Sequence, residues 1–260
     1  DNLVELARAR GTEQDRRRLQ LLQKFVFFLA SKPECVSHTI PDFSRAVREG
    51  LGAVIADARA RRAGARGSAA EFYEGVGEVL QGILTYAGRL ADKAAELARR
   101  ERDAVKRAEL EEISEIYRHV PEHPARSFRE GLTSVWICWV ACHLENANVG
   151  LSLGRLDQLL YDLYRRDVEA GRLTVSDAVQ WVAHLWLKLG DHVPAIPAAG
   201  EQLFGGTGSN QAITLGGVDA AGEDAVNDLT YVMLRATELM QLRDPNLNAR
   251  FHPDVHGQGA

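Results

Sequence analysis

The segment FREGLTSVWICWVACHLE, residues 128–145, is apolar on nearly every side when it is drawn as a helix, and this feature constrains the fold most. A helix without a polar face belongs inside a protein, where other elements cover it. Its most apolar part, VWICWVACHL, is well short of the roughly 20 residues that a membrane-spanning helix needs. The sequence therefore predicts a buried helix and no membrane contact.

Segments with helical periodicity precede this buried helix. Apolar residues recur every three or four positions in residues 12–32, in residues 41–64 and along the longest stretch, residues 69–101. The longest stretch contains four glycines, each of which costs up to about 1 kcal/mol relative to alanine in a helix. We expect close packing against a neighbouring helix to explain all four, which are Gly75, Gly77, Gly82 and Gly88.

Two amphipathic helices and two short strands are predicted after the buried helix. Thr174 is placed to cap the second of these helices, with Asp177 three residues further on. The run NQAITLGG predicts a strand from about Asn210 to Leu215 that ends in a Gly-Gly turn, and Pro245 starts an extended segment. The fold class is mainly α with a few short strands, helical over residues 1–200 and strand-containing over residues 201–260.

The composition predicts one soluble globular protein without a general nucleic-acid surface. Of its 260 residues 45% are hydrophobic and 26% are charged, which is ordinary for a globular chain. A net charge of -5 provides no positive field to hold a polyanion. Three cysteines, an odd number, fit a reducing compartment, so we expect a cytoplasmic location.

The glycine-rich run FGGTGSNQAITLGGVD, residues 204–219, does not match a phosphate-binding loop. A P-loop requires a lysine after its second glycine, and no lysine follows Lys188. A dinucleotide fingerprint fits poorly, because Gln211 stands where its third glycine belongs. The run therefore predicts a turn, a strand and a second turn.

Residue types alone identify neither a metal site nor a nucleophile. The most suggestive group of ligands, His184, Asp191 and His192, lacks the spacing of a metal motif, so no metal is predicted. Cys138 and Cys142 share one face of the apolar helix without a neighbouring cation, which favours core packing over redox chemistry.

Arg155 and Asp157 form the one polar constellation that stands out by residue type. They follow the turn at Gly154, at the start of a helix, where Asp157 would favourably meet the helix N-terminus. We expect the two residues to form an ion pair that fixes the start of this helix, which is a structural role.

Two long strings resemble the glycyl radical enzymes, the pyruvate formate-lyase or formate C-acetyltransferase family. The first contains PARSFREGL and, further on, SLGRLDQLLY, and the second begins with NQAITLGGVDAAGEDAVNDLTY and ends with DPNLNARFH. Earlier helices are also similar, so the resemblance spans the N-terminal to middle portion of the family domain. It implies a half-barrel with surrounding helices.

The resemblance also implies what the chain binds and works with. Members of the family bind no metal or nicotinamide in this domain, and act on small organic substrates. They store a radical on a backbone glycine, which a radical SAM activating enzyme with an iron-sulfur cluster installs, and a cysteine thiyl radical derived from it attacks the substrate. Both residues follow the NARFH segment in the family, and neither motif occurs in these 260 residues. We therefore expect no catalytic residue in this chain, which alone should be inactive.

The resemblance nominates four substrate-binding positions. Gln211 matches the start of a segment that lines the substrate barrel, and Val149 and Gly150 stand where many relatives have His-Ser, which makes a small polyol a less suitable substrate. His38 precedes a Pro-Asp-Phe like that of the family. Asn227, Asp228 and Tyr231 would belong to the scaffold of the following helix.

Two functions remain open at this stage. The chain is a portion of an anaerobic acyltransferase or of a lyase for C–C, C–O, C–N or C–S bonds, or else a non-catalytic scaffold or partner subunit derived from that family. Half a barrel leaves strand edges exposed, which predicts association with another polypeptide. That partner is either a complementary C-terminal half or a second copy in a homodimer.

Overall fold

The computed structural model describes residues 9–25, 39–145, 150–191 and 211–252. The elements in chain order are α1 (Glu13–Phe25), α2 (Ser44–Arg48), α3 (Leu51–Gly64), α4 (Ser68–Arg100), α5 (Ala104–His119), α6 (Phe128–Glu145), α7 (Leu156–Leu159), α8 (Tyr161–Glu169), α9 (Val175–Asp191), β1 (Ala212–Gly216), α10 (Asp228–Met240) and β2 (Asn246–Arg250). Helices dominate, as the periodicity predicted. None of the helices in these ranges combines the length and apolarity needed to cross a membrane.

Helix α6 lies in the core, as its apolar sequence predicted. Its Phe128 and Trp139 are fully buried, and they belong to one apolar cluster that also contains Trp186 of α9, Ile213 of β1 and Met233 of α10. The apolar surface of α6 that faces these elements is removed from water. This burial stabilises a helix that has no polar face.

Helices α4 and α5 pack together through a stripe of small residues. The buried side chains on the C-terminal half of α4 are alanines four, three and four residues apart: Ala87, Ala91, Ala94 and Ala98. Small side chains let the backbones approach, and Ser114 Oγ of α5 donates a hydrogen bond of 2.9 Å to the carbonyl of Ala91. The predicted long helix is confirmed.

The two strands are parallel and lie side by side. Ala212 pairs with Asn246 and Gly216 with Arg250, while Ser152 forms a parallel bridge to Ala212 on the other side of β1. Strand β1 is largely buried, whereas β2 is exposed at four of its five residues. Parallel strands are usually covered on both faces, whereas β2 is mostly exposed. Among the described residues, β2 therefore resembles an edge strand of the sheet.

Local signals placed several element boundaries correctly, but the single helical segment predicted over residues 41–64 is divided into α2 and α3 at Gly50, whose φ is 81°. Thr174 caps α9 as predicted, since its hydroxyl accepts a hydrogen bond of 3.1 Å from the Asp177 amide and the Asp177 carboxylate accepts one of 3.1 Å from the Thr174 amide. Pro245 immediately precedes β2, which confirms the extended segment. The predicted first strand begins at Ala212, and Asn210 lies outside the described residues.

The explanation expected for the glycines of α4 is wrong. A Cβ atom added to Gly75, Gly77, Gly82 or Gly88 would meet no atom of the described chain within 4 Å. These glycines therefore do not admit a close neighbour from the described part of the chain. At each position alanine would fit and would favour the helix more than glycine does.

Alanine at Gly82 is expected to raise the free energy of unfolding by about 0.5–1 kcal/mol. The added methyl group lies in open space and removes backbone freedom from the unfolded chain. Urea unfolding followed by circular dichroism measures the change, with Gly75→Ala as a second instance of the same substitution. A loss of stability in both variants would contradict this description of α4.

Candidate functional site

The structure brings two of the four nominated substrate-binding residues to the start of β1. Gln211 directly precedes β1, and Gly150, with a φ of 76°, directly precedes Leu151. The Leu151 carbonyl accepts a hydrogen bond of 3.1 Å from the Ala212 amide, so the two chain segments run side by side at this point. Val149 and His38 lie outside the described residues.

Gln211 is fully buried, and its carboxamide contacts two aromatic side chains of α6. Its Oε1 accepts a hydrogen bond of 2.8 Å from the indole Nε1 of Trp139. Its Nε2 lies 3.5 Å from Nε2 of His143. The rings of Trp139 and His143 are tilted by 40° with centroids 4.1 Å apart, and His143 Nδ1 lies 2.9 Å from the Trp139 carbonyl oxygen.

Sequence reasoning did not single out Trp139 and His143. Their four-residue spacing places them on one face of α6, and His143 is the only histidine of that largely apolar helix. A polar ring that is buried needs a partner, so this histidine was the signal that could have indicated a long-range polar contact.

Arg155 and Asp157 lie at the other end of β1 and have separate partners. Arg155 donates hydrogen bonds from Nη2 to the Gly216 carbonyl, at 2.6 Å, and from Nη1 to the Val218 carbonyl, at 2.9 Å. Asp157 is fully buried, and its Oδ2 accepts hydrogen bonds of 2.8 Å from the Gly216 amide and from the Thr230 hydroxyl. The expected Arg155–Asp157 ion pair is therefore wrong. Both residues instead hold the Gly-Gly turn that ends β1.

Helix α10 is tied to the same cluster through its N-terminus. Asn227 and Thr230 form a reciprocal capping box, and the Asn227 side chain also donates a hydrogen bond of 3.2 Å to the Asp157 carbonyl. The Thr230 hydroxyl accepts from the Asn227 amide while it donates to the Asp157 carboxylate. Asp157 thus connects α7, β1 and α10, three segments that are distant in sequence.

The two cysteines of α6 are core residues, as predicted. Cys138 is buried, and burial, with a smaller contribution from Cys142, raises the pKa of its thiol to about 12. Cys142 is half-buried on the same helix face. Because the thiolate is the reactive form, a thiol with so high a pKa is a poor nucleophile at neutral pH. Cys35 lies outside the described residues.

Cys138 is expected to resist alkylation by iodoacetamide in the folded chain. At pH 8 a thiol with a pKa near 12 is ionised in about one molecule in ten thousand, so we expect modification at least about a hundred times slower than in urea. Stability falls as the pH rises from about 9, the usual thiol pKa, toward about 12, because the folded chain holds a proton that the unfolded chain releases. Peptide mass spectrometry reads both cysteines separately, and equal rates for Cys138 in the folded and unfolded chains would contradict its burial.

The described residues contain no group of three or more histidines, cysteines or carboxylates arranged to hold a metal ion. His184 contacts Trp181 edge-on, with ring centroids 5.5 Å apart, and His192 lies outside the described ranges. Among the described residues, the nominated Gln211 and the pair Arg155 and Asp157 lie at opposite ends of β1.

Solved structures with a similar fold define the class of protein. A glycyl radical enzyme from Archaeoglobus fulgidus superposes on 83% of this chain with a TM-score of 0.77 and 35% identity. The glycerol-bound, B12-independent glycerol dehydratase from Clostridium butyricum superposes on 95% of it with a TM-score of 0.77 and 27% identity. The chain covers 29% and 32% of these two proteins, so its fold is part of a glycyl radical enzyme barrel.

The family follows from the sequence match. The family model described as pyruvate formate lyase-like matches residues 11–257, and the chain belongs to this family. Isethionate sulfite-lyase from Oleidesulfovibrio alaskensis is 37% identical over 183 residues, which are 70% of this chain and 22% of that protein. Trans-4-hydroxy-L-proline dehydratase from Clostridioides difficile is 33% identical over 165 residues, 62% of this chain and 21% of that protein. The chain thus spans about a fifth of the length of these curated relatives.

Proposed function

We propose that the chain is the N-terminal to middle portion of a glycyl radical lyase that eliminates a leaving group from a small organic substrate. The observation that carries this proposal is the 37% identity to isethionate sulfite-lyase over 183 residues. Relatives named as dehydratases support the same reaction type, with water in place of sulfite as the leaving group. Elimination is therefore favoured over acyl transfer to formate.

The reaction begins, in this proposal, with a cysteine thiyl radical that takes a hydrogen atom from a substrate carbon, forming an S–H bond and a carbon radical. The carbon radical then expels the leaving group, with its bonding electrons, from the neighbouring carbon while the substrate gives up a proton. The product radical takes the hydrogen atom back from the cysteine S–H, which restores the thiyl radical. We place the thiyl cysteine and the radical glycine on polypeptide beyond these 260 residues, with a radical SAM enzyme as the activating partner. This chain contributes the wall at the start of β1, where Gly150 and Gln211 precede the hydrogen-bonded residues Leu151 and Ala212, with Val149 and His38 as further substrate contacts.

Anaerobic activation of the assembled protein tests this function. The protein that contains these residues is incubated with its activating enzyme, and electron paramagnetic resonance detects a glycyl radical. Isethionate, trans-4-hydroxy-L-proline, glycerol and propane-1,2-diol are then supplied, and sulfite or dehydrated products are measured. We expect a radical signal and turnover of an eliminable substrate. Failure to acquire a radical, while isethionate sulfite-lyase is activated in parallel, would contradict the proposal.

A further inference from the structure

Trp139, His143 and Gln211 form a ring of hydrogen bonds at the start of β1. The ring begins at the indole N–H of Trp139, passes through the carboxamide of Gln211 and the imidazole of His143, and returns to the backbone carbonyl of Trp139. All three residues are buried, with Trp139 and Gln211 fully so. We call this cluster the α6–β1 polar ring.

The chemistry of the end groups fixes the direction of every hydrogen bond in the α6–β1 polar ring. The indole N–H can only donate, so the Gln211 atom that faces it is the carboxamide oxygen and the amino group faces His143. The Trp139 carbonyl can only accept, so His143 Nδ1 carries a proton. In the neutral imidazole, Nε2 is then the acceptor, which is what the amino group of Gln211 requires.

The α6–β1 polar ring lies where the segment before β1 is hydrogen-bonded to two other segments, the start of β2 and the segment that follows Gly150. The Gln211 carbonyl accepts a hydrogen bond of 2.7 Å from the Asn246 amide, at the start of β2. The next residue, Ala212, donates to Leu151, which follows Gly150. A flip of the carboxamide would place its amino group against the indole N–H, so that two donors would face each other.

We propose that Trp139 and His143 are positioning residues for Gln211. The indole and the neutral Nδ1–H tautomer of His143 hold the carboxamide in one orientation and fix the entry into β1 beside Gly150. The catalytic significance of this arrangement rests on the proposed function, in which the substrate lies at that end of β1. The geometry itself is a property of the chain and is measured without turnover.

Nuclear magnetic resonance of the isotopically labelled chain tests this assignment. The ring nitrogen shifts of His143 should show a protonated Nδ1 and an unprotonated Nε2 at neutral pH. In His143→Phe, which keeps an aromatic ring beside Trp139, the Gln211 side-chain amide protons should exchange with solvent about tenfold faster or more, the factor that corresponds to one hydrogen bond. In Gln211→Leu, the Trp139 indole proton should exchange faster by a similar factor.

The matched control is His184→Phe. The His184 ring also contacts a tryptophan, Trp181, but it belongs to α9. This variant should leave the Gln211 and Trp139 signals unchanged. If His143 served only stability, His143→Phe would lower the unfolding midpoint. It would not change the exchange rates of the Gln211 amide and Trp139 indole protons, and His143 would show no preferred tautomer. A His143 ring protonated at Nε2 alone, or unchanged Gln211 amide protons in a folded His143→Phe chain, would overturn the proposal. Neither result depends on whether the assembled protein acquires a radical.

Discussion

Replacing Asp157 with alanine is expected to lower the free energy of unfolding by about 4 kcal/mol. The substitution removes the acceptor of two buried hydrogen bonds, from the Gly216 amide and the Thr230 hydroxyl. A hydrogen bond to a charged group contributes about 1.5–3 kcal/mol, and buried donors left without a partner add their desolvation cost. The Gly-Gly turn and the N-terminus of α10 both lose their anchor. Urea unfolding of the purified chain measures the loss.

Two variants separate this effect from a general loss of charge. Asp157→Asn keeps one oxygen for both donors but places an amino group at the Oδ1 position, which has no hydrogen-bond partner among the described residues, so we expect a loss of about 1–2 kcal/mol. Asp162→Ala removes an exposed carboxylate from the first turn of α8 and should cost at most about 1 kcal/mol. Equal losses for Asp157→Ala and Asp162→Ala would contradict the role given to Asp157.

Replacing Gly50 with alanine is expected to cost about 3–5 kcal/mol of stability. Gly50 has a φ of 81° and a ψ of 154°, a conformation that other residues rarely adopt. An added Cβ would also meet the Glu122 carbonyl oxygen and lie 2.7 Å from the His123 Cα, both backbone atoms that cannot rotate away. The same contact positions α3, because the Leu51 and Gly52 amides donate hydrogen bonds to Pro121 and Glu122.

Gly67→Ala provides the matched control for Gly50→Ala. Gly67 also precedes a helix with a positive φ, of 58°, but a Cβ there meets no described atom within 4 Å. The control should show only backbone strain, about 1–3 kcal/mol. The difference between the two variants then isolates the clash with residues 122–123, about 2 kcal/mol. Stabilities that agree within about 0.5 kcal/mol would show that this contact does not hold α3 in place.

The sequence predicted features that depend on neighbours in the chain. The period of α4, the cap at Thr174 and the start of β2 after Pro245 each follow from residues within one or two turns. The apolar sequence of α6 was equally informative, because a helix without a polar face has only one stable environment.

Features that depend on distant contacts could not be predicted by the same reasoning. Arg155 and Asp157 are adjacent enough to suggest an ion pair, but their partners lie 59–73 residues further along the chain. The structure explains instead why two motifs recognised separately, SLGRLDQ and AITLGG, occur together: the side chains of the first hold the turn of the second. The glycines of α4 show the reverse error, since a packing explanation was expected where the described residues supply no neighbour.

The nucleotide sequence that follows the codon for Ala260 tests the central claim most directly. If the chain is a portion of a glycyl radical lyase, this region, in frame or in an adjacent gene, encodes a cysteine followed two residues later by glutamate and then a loop that contains the radical glycine. Translation that ends at Ala260 without a neighbouring gene of this kind would contradict radical catalysis and leave a scaffold derived from the family.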